Sequence, residues 1–294
     1  MERFIENNLR WLLITPALVV LVFLVVTPTI FLFSVAFQDW NPADTSANEW
    51  IGFANFISIL SDTQFFWNAV KNTAIFIVFG VTIEFALGVS FAVLVDKHIR
   101  RLNFVKTILV MPMMLPPIAV AITFRILYQP QFGTLNVMLF QFFGLDPVMW
   151  TASMEIARPA IILVDIWENT PFVFLLTLAG LAAQPREPLE AAALDGANGW
   201  QKFRDVTWPY LRPLAAIIIL FRVIDVSRLF DQVVVLTRGG PANATDTITY
   251  FIYRVGLREF EVGRAAAASI LMLAATLLFS AWFIVRMQRE ESPT

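Results

Sequence analysis

The sequence predicts an all-α, polytopic membrane protein with six transmembrane helices. Three observations predict it. Hydrophobic residues make up 58% of the 294-residue chain, and its mean hydropathy is +0.69. Charged residues are only 15%, against the ~25% usual for soluble domains. Six stretches reach the roughly 20 apolar residues that a helix needs to cross a bilayer: 11–37, 68–95, 104–127, 157–182, 214–236 and 265–286. Length alone suggests one or two soluble domains, but the apolar spans overrule that prior and make residues 1–294 a single transmembrane domain.

The first span carries Pro16 and Pro28 and is expected to bend at one of them. Its apolar run is too long for a cleavable signal, and no small-residue cleavage site follows it. The fourth span ends at Pro185 and Pro188. The sixth opens with Gly263 and Ala265 to Ala268, a small-residue surface suited to close helix packing in lipid.

Basic residues give the orientation. Arg3 and Arg10 precede the first span, Lys97, Arg100, Arg101 and Lys106 flank the loop after the second, Arg186, Lys202, Arg204 and Arg212 lie between the fourth and fifth, and Arg286 and Arg289 close the chain. Residues 38–67 and 128–157 contain no Lys, and no Arg ahead of the fourth span. The positive-inside rule therefore places both termini and the 183–213 connector in the cytoplasm, with Arg238, Arg254, Arg258 and Arg264 as a local exception. The outer loops are aromatic, as in Trp40, Trp50, Phe53 and Trp67, which suits an interfacial belt. None is long enough to form a solute-binding domain, so a soluble receptor must be a separate chain.

Charges inside the spans need partners or water, because each costs about 2.5–3.5 kcal/mol against lipid. The fifth span holds Arg222, Asp225, Arg228 and Asp231 at a spacing of three. Two readings stay open: local ion pairs Arg222–Asp225 and Arg228–Asp231 that lock the bundle, or a polar lining for a translocation path. Either requires the helix to be surrounded by protein or water, or unwound, over its outer half. Glu84, Asp165, Glu168 and Arg125 are similar cases. Trp167, Glu168 and Phe172 combine rings with a carboxylate, a pairing that holds sugars by their apolar face and their hydroxyls.

The connector carries the most specific signal. Pro188 suits a first helical turn, and Glu190-Ala191-Ala192-Ala193 favours a helix with a bare face. Gly196 and Gly199 interrupt it, a second short helix is expected near Trp200, and Pro209 and Pro213 are expected to hold off the next helix. An exposed helix of this kind fits a groove on a soluble partner. The set Glu190-Ala191-Ala192, Asp195-Gly196-Ala197, Val206 and Pro209-Tyr210-Leu211-Arg212-Pro213 resembles the coupling loop of permease subunits of bacterial binding-protein-dependent ABC importers. Gly239-Gly240-Pro241-Ala242-Asn243-Ala244-Thr245 after Phe230-Asp231 resembles the carbohydrate-uptake members, the maltose, glycerol-phosphate and trehalose permeases, as do Asn72-Thr73, Gly88, Pro112, Pro116, Pro117, Gly133 and Asn136. Thr27 and Met111 depart from residues frequent at their positions; neither touches the connector.

The resemblance implies a type I importer permease fold with a cytoplasmic coupling helix, in the bacterial inner membrane. It implies a second, non-identical permease subunit, two cytoplasmic ATPase subunits and a periplasmic or lipid-anchored solute-binding protein. Coupling would rest on Glu190, Ala191, Ala192, Asp195, Gly196, Ala197, Pro209 and Pro213. Gly239, Gly240, Pro241 and Asn243 would face the binding protein. Glu84, Trp167, Glu168, Phe172, Arg222, Asp225, Arg228 and Asp231 are candidates for the path of a sugar or sugar-like solute. An amino acid or phosphate ester is the alternative solute, and an ion-coupled secondary transporter the alternative mechanism, although no repeated halves are visible.

The chain has no G-x-x-x-x-G-K loop, so ATP and Mg are expected on the partner ATPase and the chain itself is expected to be non-catalytic. With no cysteine and one histidine, His98, no disulfide, thiol catalyst or metal site is expected. No nucleic-acid partner is expected.

Overall fold

A computed structural model describes residues 2–42, 44–98 and 103–291. Arg100 and Arg101 lie outside the described residues, as does the side chain of Arg3. The chain forms two compact units, Met1–Asp62 with Ile252–Leu273, and Thr63–Phe251 with Ala274–Thr294.

The first unit contains α1 (Glu2–Ala36), a hairpin of β1 (Gln38–Asn41) and β2 (Asp44–Trp50), and α2 (Ala54–Ser61). The strands pair antiparallel with Gln38 opposite Trp50. This hairpin is the one departure from all-α structure among the described residues. The small-residue surface expected at the start of the last span does pack closely. Val35 and Ala36 meet Ala266 and Ala267 in a buried cluster. A Cβ on Gly263 would lie 2.3 Å from the Gln38 carbonyl, and Asn55 Nδ2 donates to the Ala36 and Gln38 carbonyls at 2.9 Å each. Three of the four arginines that weaken the positive-inside pattern find partners here. Arg254 pairs with Glu259 at 2.8 Å, Arg264 with Asp62 at 3.6 Å and with Glu261, and Arg258 lies over the Tyr253 ring.

The second unit is organised on three helices. α3 (Phe66–Phe76) runs through a π turn (Ile77–Val81) into α4 (Thr82–His98). α5 (Asn103–Val110), α6 (Pro117–Leu127) and α7 (Thr134–Phe143) precede α8 (Ala157–Ala183). α9 (Glu187–Leu194) and α10 (Gly199–Lys202) lead through a second π turn (Phe203–Thr207) into α11 (Trp208–Ser227) and α12 (Asp231–Leu236). Short α13 (Ile248–Tyr253) and α14 (Val262–Glu291) are each divided between the two units, Ile252–Leu273 belonging to the first. Two glycines permit the central contacts. A Cβ on Gly88 would fall 2.6 Å from Val173 Cβ, and one on Gly180 2.5 Å from Leu214 Cδ2. α4 and α11 thereby both close on the C-terminal half of α8.

Four helices are long and apolar enough to cross a membrane: Leu13–Ala36, Phe66–Lys97, Ala157–Ala183 and Val262–Arg289. Two expected spans differ. Residues 104–127 form a pair of helices bent by 95° rather than one rod. Pro112, Pro116 and Pro117 remove three backbone donors there, and Leu115 turns extended ahead of Pro116. The span expected at 214–236 is two helices, broken at Arg228-Leu229-Phe230. It also starts early, at Trp208: Pro209 sits in the first turn, where its missing N–H costs nothing, and Pro213 lies inside the helix without stopping it.

Candidate functional site

α4, α8 and α11 meet at one guanidinium. Arg222 is 2% exposed on α11. Its Nε donates to Glu84 Oε2 at 2.7 Å and its Nη2 to Glu84 Oε1 at 3.1 Å. Nη2 also reaches Asp165 Oδ2 at 3.3 Å, and Nη1 donates to Asp225. Asp165 Oδ1 accepts in turn from Asn169 Nδ2 at 2.9 Å. Glu84 and Asp165 are buried, whereas Asp225 is open on its outer side. A buried charge persists only when paired and hydrogen-bonded, which this fork geometry achieves.

The expected local pairs are thus half corrected. Arg222–Asp225 forms, but Arg222 belongs mainly to Glu84 and Asp165. Arg228–Asp231 is absent among the ion pairs of the described residues. The helix ends at Ser227, which separates the two residues: Arg228 is exposed, and Asp231 opens α12.

The three fourth-span candidates do not converge. Glu168 is buried and accepts from Gln232 Nε2 at 2.8 Å. Trp167 turns to the other side, edge-on to Phe124 and lining an apolar groove of about 440 Å³ with Leu87, Phe91, Ile108 and Pro171. Adjacent helical residues point about 100° apart, so Trp167 and Glu168 cannot share a face. Phe172 lines a separate cavity of about 390 Å³ with Met113, Asn169, Phe221, Arg222, Asp225 and Arg228. There a ring and a carboxylate do line one cavity, Phe172 and Asp225. Asn169 was not singled out from the sequence; its spacing of four from Asp165 was the available signal.

The Gly239-Gly240-Pro241 segment is built into the second unit. Asn68 and Asn72 donate to the Asn243 carbonyl at 2.6 and 3.1 Å, and Arg158 donates to the Ala244 carbonyl at 2.5 Å. Thr245, Asp246 and Thr247 are fully buried. Gly239 has φ +78° and is buried, while Gly240, Pro241 and Asn243 are half-buried and Arg238 and Ala242 are exposed. This segment therefore braces helices more than it offers a surface.

In the connector, α9 ends as the sequence suggests, for a sharper reason. Gly196 takes φ +79°. The Ala197 N–H returns to the Ala192 carbonyl at 2.9 Å and the Gly196 N–H to Ala193 at 3.2 Å, which is a Schellman closure. The second helix starts on a capping box that sequence reading missed, although Asn198-x-x-Gln201 carries it. The Asn198 side chain accepts from the Gln201 N–H at 2.9 Å, and the Gln201 side chain accepts from the Asn198 N–H at 2.8 Å. Leu194 is 90% exposed and Trp200 66%, two large apolar groups on a polar connector. Glu190 instead lines a cavity of about 490 Å³ with Lys97, Arg186 and Lys202. Arg204 bonds Asp205 at 2.6 and 3.0 Å, which holds the exposed Asp205 carboxyl below its ordinary range. Among the described residues no three His, Cys, Asp or Glu side chains are placed to hold a metal ion.

Residues 84–288 match the model of the binding-protein-dependent transport system inner membrane component family. The chain is 34% identical to a probable ABC transporter permease protein, y4oQ, of Sinorhizobium fredii, over 94% of this chain and 89% of that one. It is 32% identical to the trehalose/maltose transport system permease protein MalF of Thermococcus litoralis, over 95% and 93%. In structure it superposes on a chain of a bacterial ABC transporter that imports the acidic polysaccharide alginate, with a TM-score of 0.85, 25% identity and 98% of both chains covered. The chain therefore belongs to the family of inner membrane components of binding-protein-dependent transport systems.

Proposed function

We propose that this chain is the permease subunit of an ATP-driven importer and forms half of the path for a sugar or sugar-like solute. Names among its relatives support the solute class, since they include trehalose/maltose and galactooligosaccharide permeases. The cavity at Phe172, Asn169, Phe221, Asp225 and Arg228 supports it chemically: two rings for the apolar face of a sugar, and an amide, a carboxylate and a guanidinium for its hydroxyls.

The observation that carries the coupling role is the exposed pair Leu194 and Trp200 on a connector whose helices are internally closed. Apolar groups this large, left bare on a polar segment, mark a protein contact. The occupant is a cytoplasmic ATPase that binds ATP and Mg. Glu190 faces the connector's own basic cavity, so its part is to hold α9 against the bundle while Ala191, Ala192 and the α9 end present the contact. Asp195, Gly196 and Ala197 shape that end, and Pro209 and Pro213 fix the entry into α11. A second permease subunit and a separate solute-binding protein complete the transporter, and both termini of this chain lie in the cytoplasm.

The test uses the absence of native cysteine. Leu194→Cys should cross-link to the co-expressed ATPase and react with a membrane-impermeant maleimide only in inside-out vesicles. Labelling from the outside of intact cells, or no cross-link to the ATPase in the assembled complex, refutes the assignment.

A further inference from the structure

The cavity of about 490 Å³ at the connector is walled by the ends of α4 and α8 and by α9 and α10. Its charged groups are Lys97, Arg186 and Lys202 against Asp96 and Glu190, which leaves one positive charge in excess. Lys97 comes from α4, Arg186 from the residue ahead of α9, and Lys202 from α10. The Lys97 side chain crosses to α10: its Nζ lies 3.4 Å from where a Cβ on Gly199 would stand. Among the described residues, no ion pair engages any of the three cations. Like charges gathered in this way repel, and an anion seated among them offsets the repulsion.

The cavity is also graded by depth. The apolar span Phe66–Lys97 ends at Lys97, and Ala157–Ala183 ends just before Arg186. The basic groups therefore stand where the spans leave the hydrocarbon. Val93, one helical turn below Lys97, and Leu181 give the cavity an apolar floor. A soluble anion needs only the basic rim, whereas a membrane amphiphile uses rim and floor together. Leu194 and Trp200, the contact proposed for the ATPase, do not line this wall.

We propose that the cavity is a phospholipid site of the cytoplasmic leaflet, in which an anionic lipid seats its phosphate among Lys97, Arg186 and Lys202 and rests its glycerol end on Val93 and Leu181. The proposal rests on the reading of the connector as cytoplasmic. Basic pockets between transmembrane helices on that side suit anionic head groups. The single excess charge matches one phosphodiester, and a glycerol head group adds hydroxyl donors for Asp96 and Glu190. One phosphate thereby ties α4, the start of α9 and α10 together, and the membrane itself holds the coupling connector to the bundle.

The complete transporter, with partner permease, ATPases and binding protein, is reconstituted in phosphatidylcholine bilayers doped with a photoactivatable phosphatidylglycerol. In the wild type this probe should cross-link to the peptides carrying Lys97, Arg186 and Lys202. Unlabelled phosphatidylglycerol should displace it, and phosphatidylcholine should not. Lys97→Gln, Arg186→Gln and Lys202→Gln should each lower the affinity for phosphatidylglycerol about fivefold, the effect of one basic residue beside an anionic membrane surface. Glu190→Gln, which removes a carboxylate from the wall, should raise it. Arg204 is paired with Asp205 and lies outside the cavity, so Arg204→Gln should change nothing; an equal loss there would mean general surface charge and overturn the site. Replacing phosphatidylglycerol by phosphatidylcholine should lower the solute imported per ATP hydrolysed, and an unchanged value overturns the tie to coupling. Equal displacement by phosphatidylcholine overturns the anion site, and displacement by inorganic phosphate overturns the lipid as its source. A probe that reaches none of the three peptides because the ATPase covers them overturns the lipid occupant. The wild-type cross-link needs no variant, so the test stays decisive where a variant does not assemble. Labelling of Leu194→Cys from outside intact cells refutes the cytoplasmic reading. A missing cross-link, with that labelling confined to inside-out vesicles, overturns the lipid site alone.

Discussion

Arg222 and Glu84 lie 138 residues apart in the chain and meet through two hydrogen bonds at 2.7 and 3.1 Å, both side chains buried. This pair joins α11 to α4, and Asp165 adds α8. The balance of charge makes the cluster asymmetric: three carboxylates surround one guanidinium.

The asymmetry gives the first prediction. Arg222→Met strands two buried carboxylates, and removing one partner of a buried pair costs about 3–5 kcal/mol. Glu84→Gln leaves Arg222 still facing Asp165 and Asp225, so its cost should be nearer 1–2 kcal/mol, roughly that of one weakened hydrogen bond. Thermal unfolding of the purified transporter should rank Arg222→Met well below Glu84→Gln. Equal destabilisation would mean that the carboxylates do not share the guanidinium.

The sequence makes the spans, the connector motif and the presence of unaffordable charges legible, because each is local: a run of apolar residues, a string of small residues, an Arg inside a helix. It does not reveal which charges meet. Helical spacing favours Arg222 with Asp225 and Arg228 with Asp231, but the first pair's main partner comes from α4, and a helix break parts the second. Pairing across 138 residues leaves no mark in a single chain. The 95° bend at Pro116 is written in three prolines, whereas the Phe172–Asp225 cavity needs the packing of α8 on α11 before it exists.

A second prediction concerns Gly88. A Cβ there would sit 2.6 Å from Val173 Cβ and 2.9 Å from the Phe174 backbone nitrogen. Even Gly88→Ala must push α4 from α8, and overpacking of this kind costs about 1–3 kcal/mol. Val173→Gly should recover part of the loss, since it removes the Val173 Cβ and Cγ1 that make the side-chain half of the clash. Melting temperatures of the single and double variants check this; additive losses would place the clash elsewhere.

Gly196 separates two explanations of one motif. If close approach of a partner demands glycine, every side chain fails alike. Gly196 takes φ +79°, and no atom of this chain lies within 4 Å of a Cβ placed there, so within the chain itself backbone conformation is the constraint. Asn visits the left-handed region readily, while a β-branched residue does not. Gly196→Asn should therefore keep most coupled transport and Gly196→Val lose most of it, although the two side chains differ little in bulk. Import and ATP hydrolysis measured together decide between them, and equal failure would return the explanation to crowding at the partner surface.

The exposed connector residues give the last prediction. Trp200 and Leu194 are 66% and 90% exposed, so truncating either removes little packing within this chain. A tryptophan at the centre of a protein contact commonly contributes about 2 kcal/mol or more to binding, equivalent to roughly thirtyfold in affinity. Trp200→Ala should thus weaken ATPase association by at least about tenfold while the melting temperature of the isolated permease stays unchanged. Leu194→Glu should do more, because it places a charge where an apolar surface must close. The check is a pull-down titration of the ATPase against membranes carrying each variant. Full association by both variants would show that the contact lies on another face of α9, with the alanines rather than these two side chains.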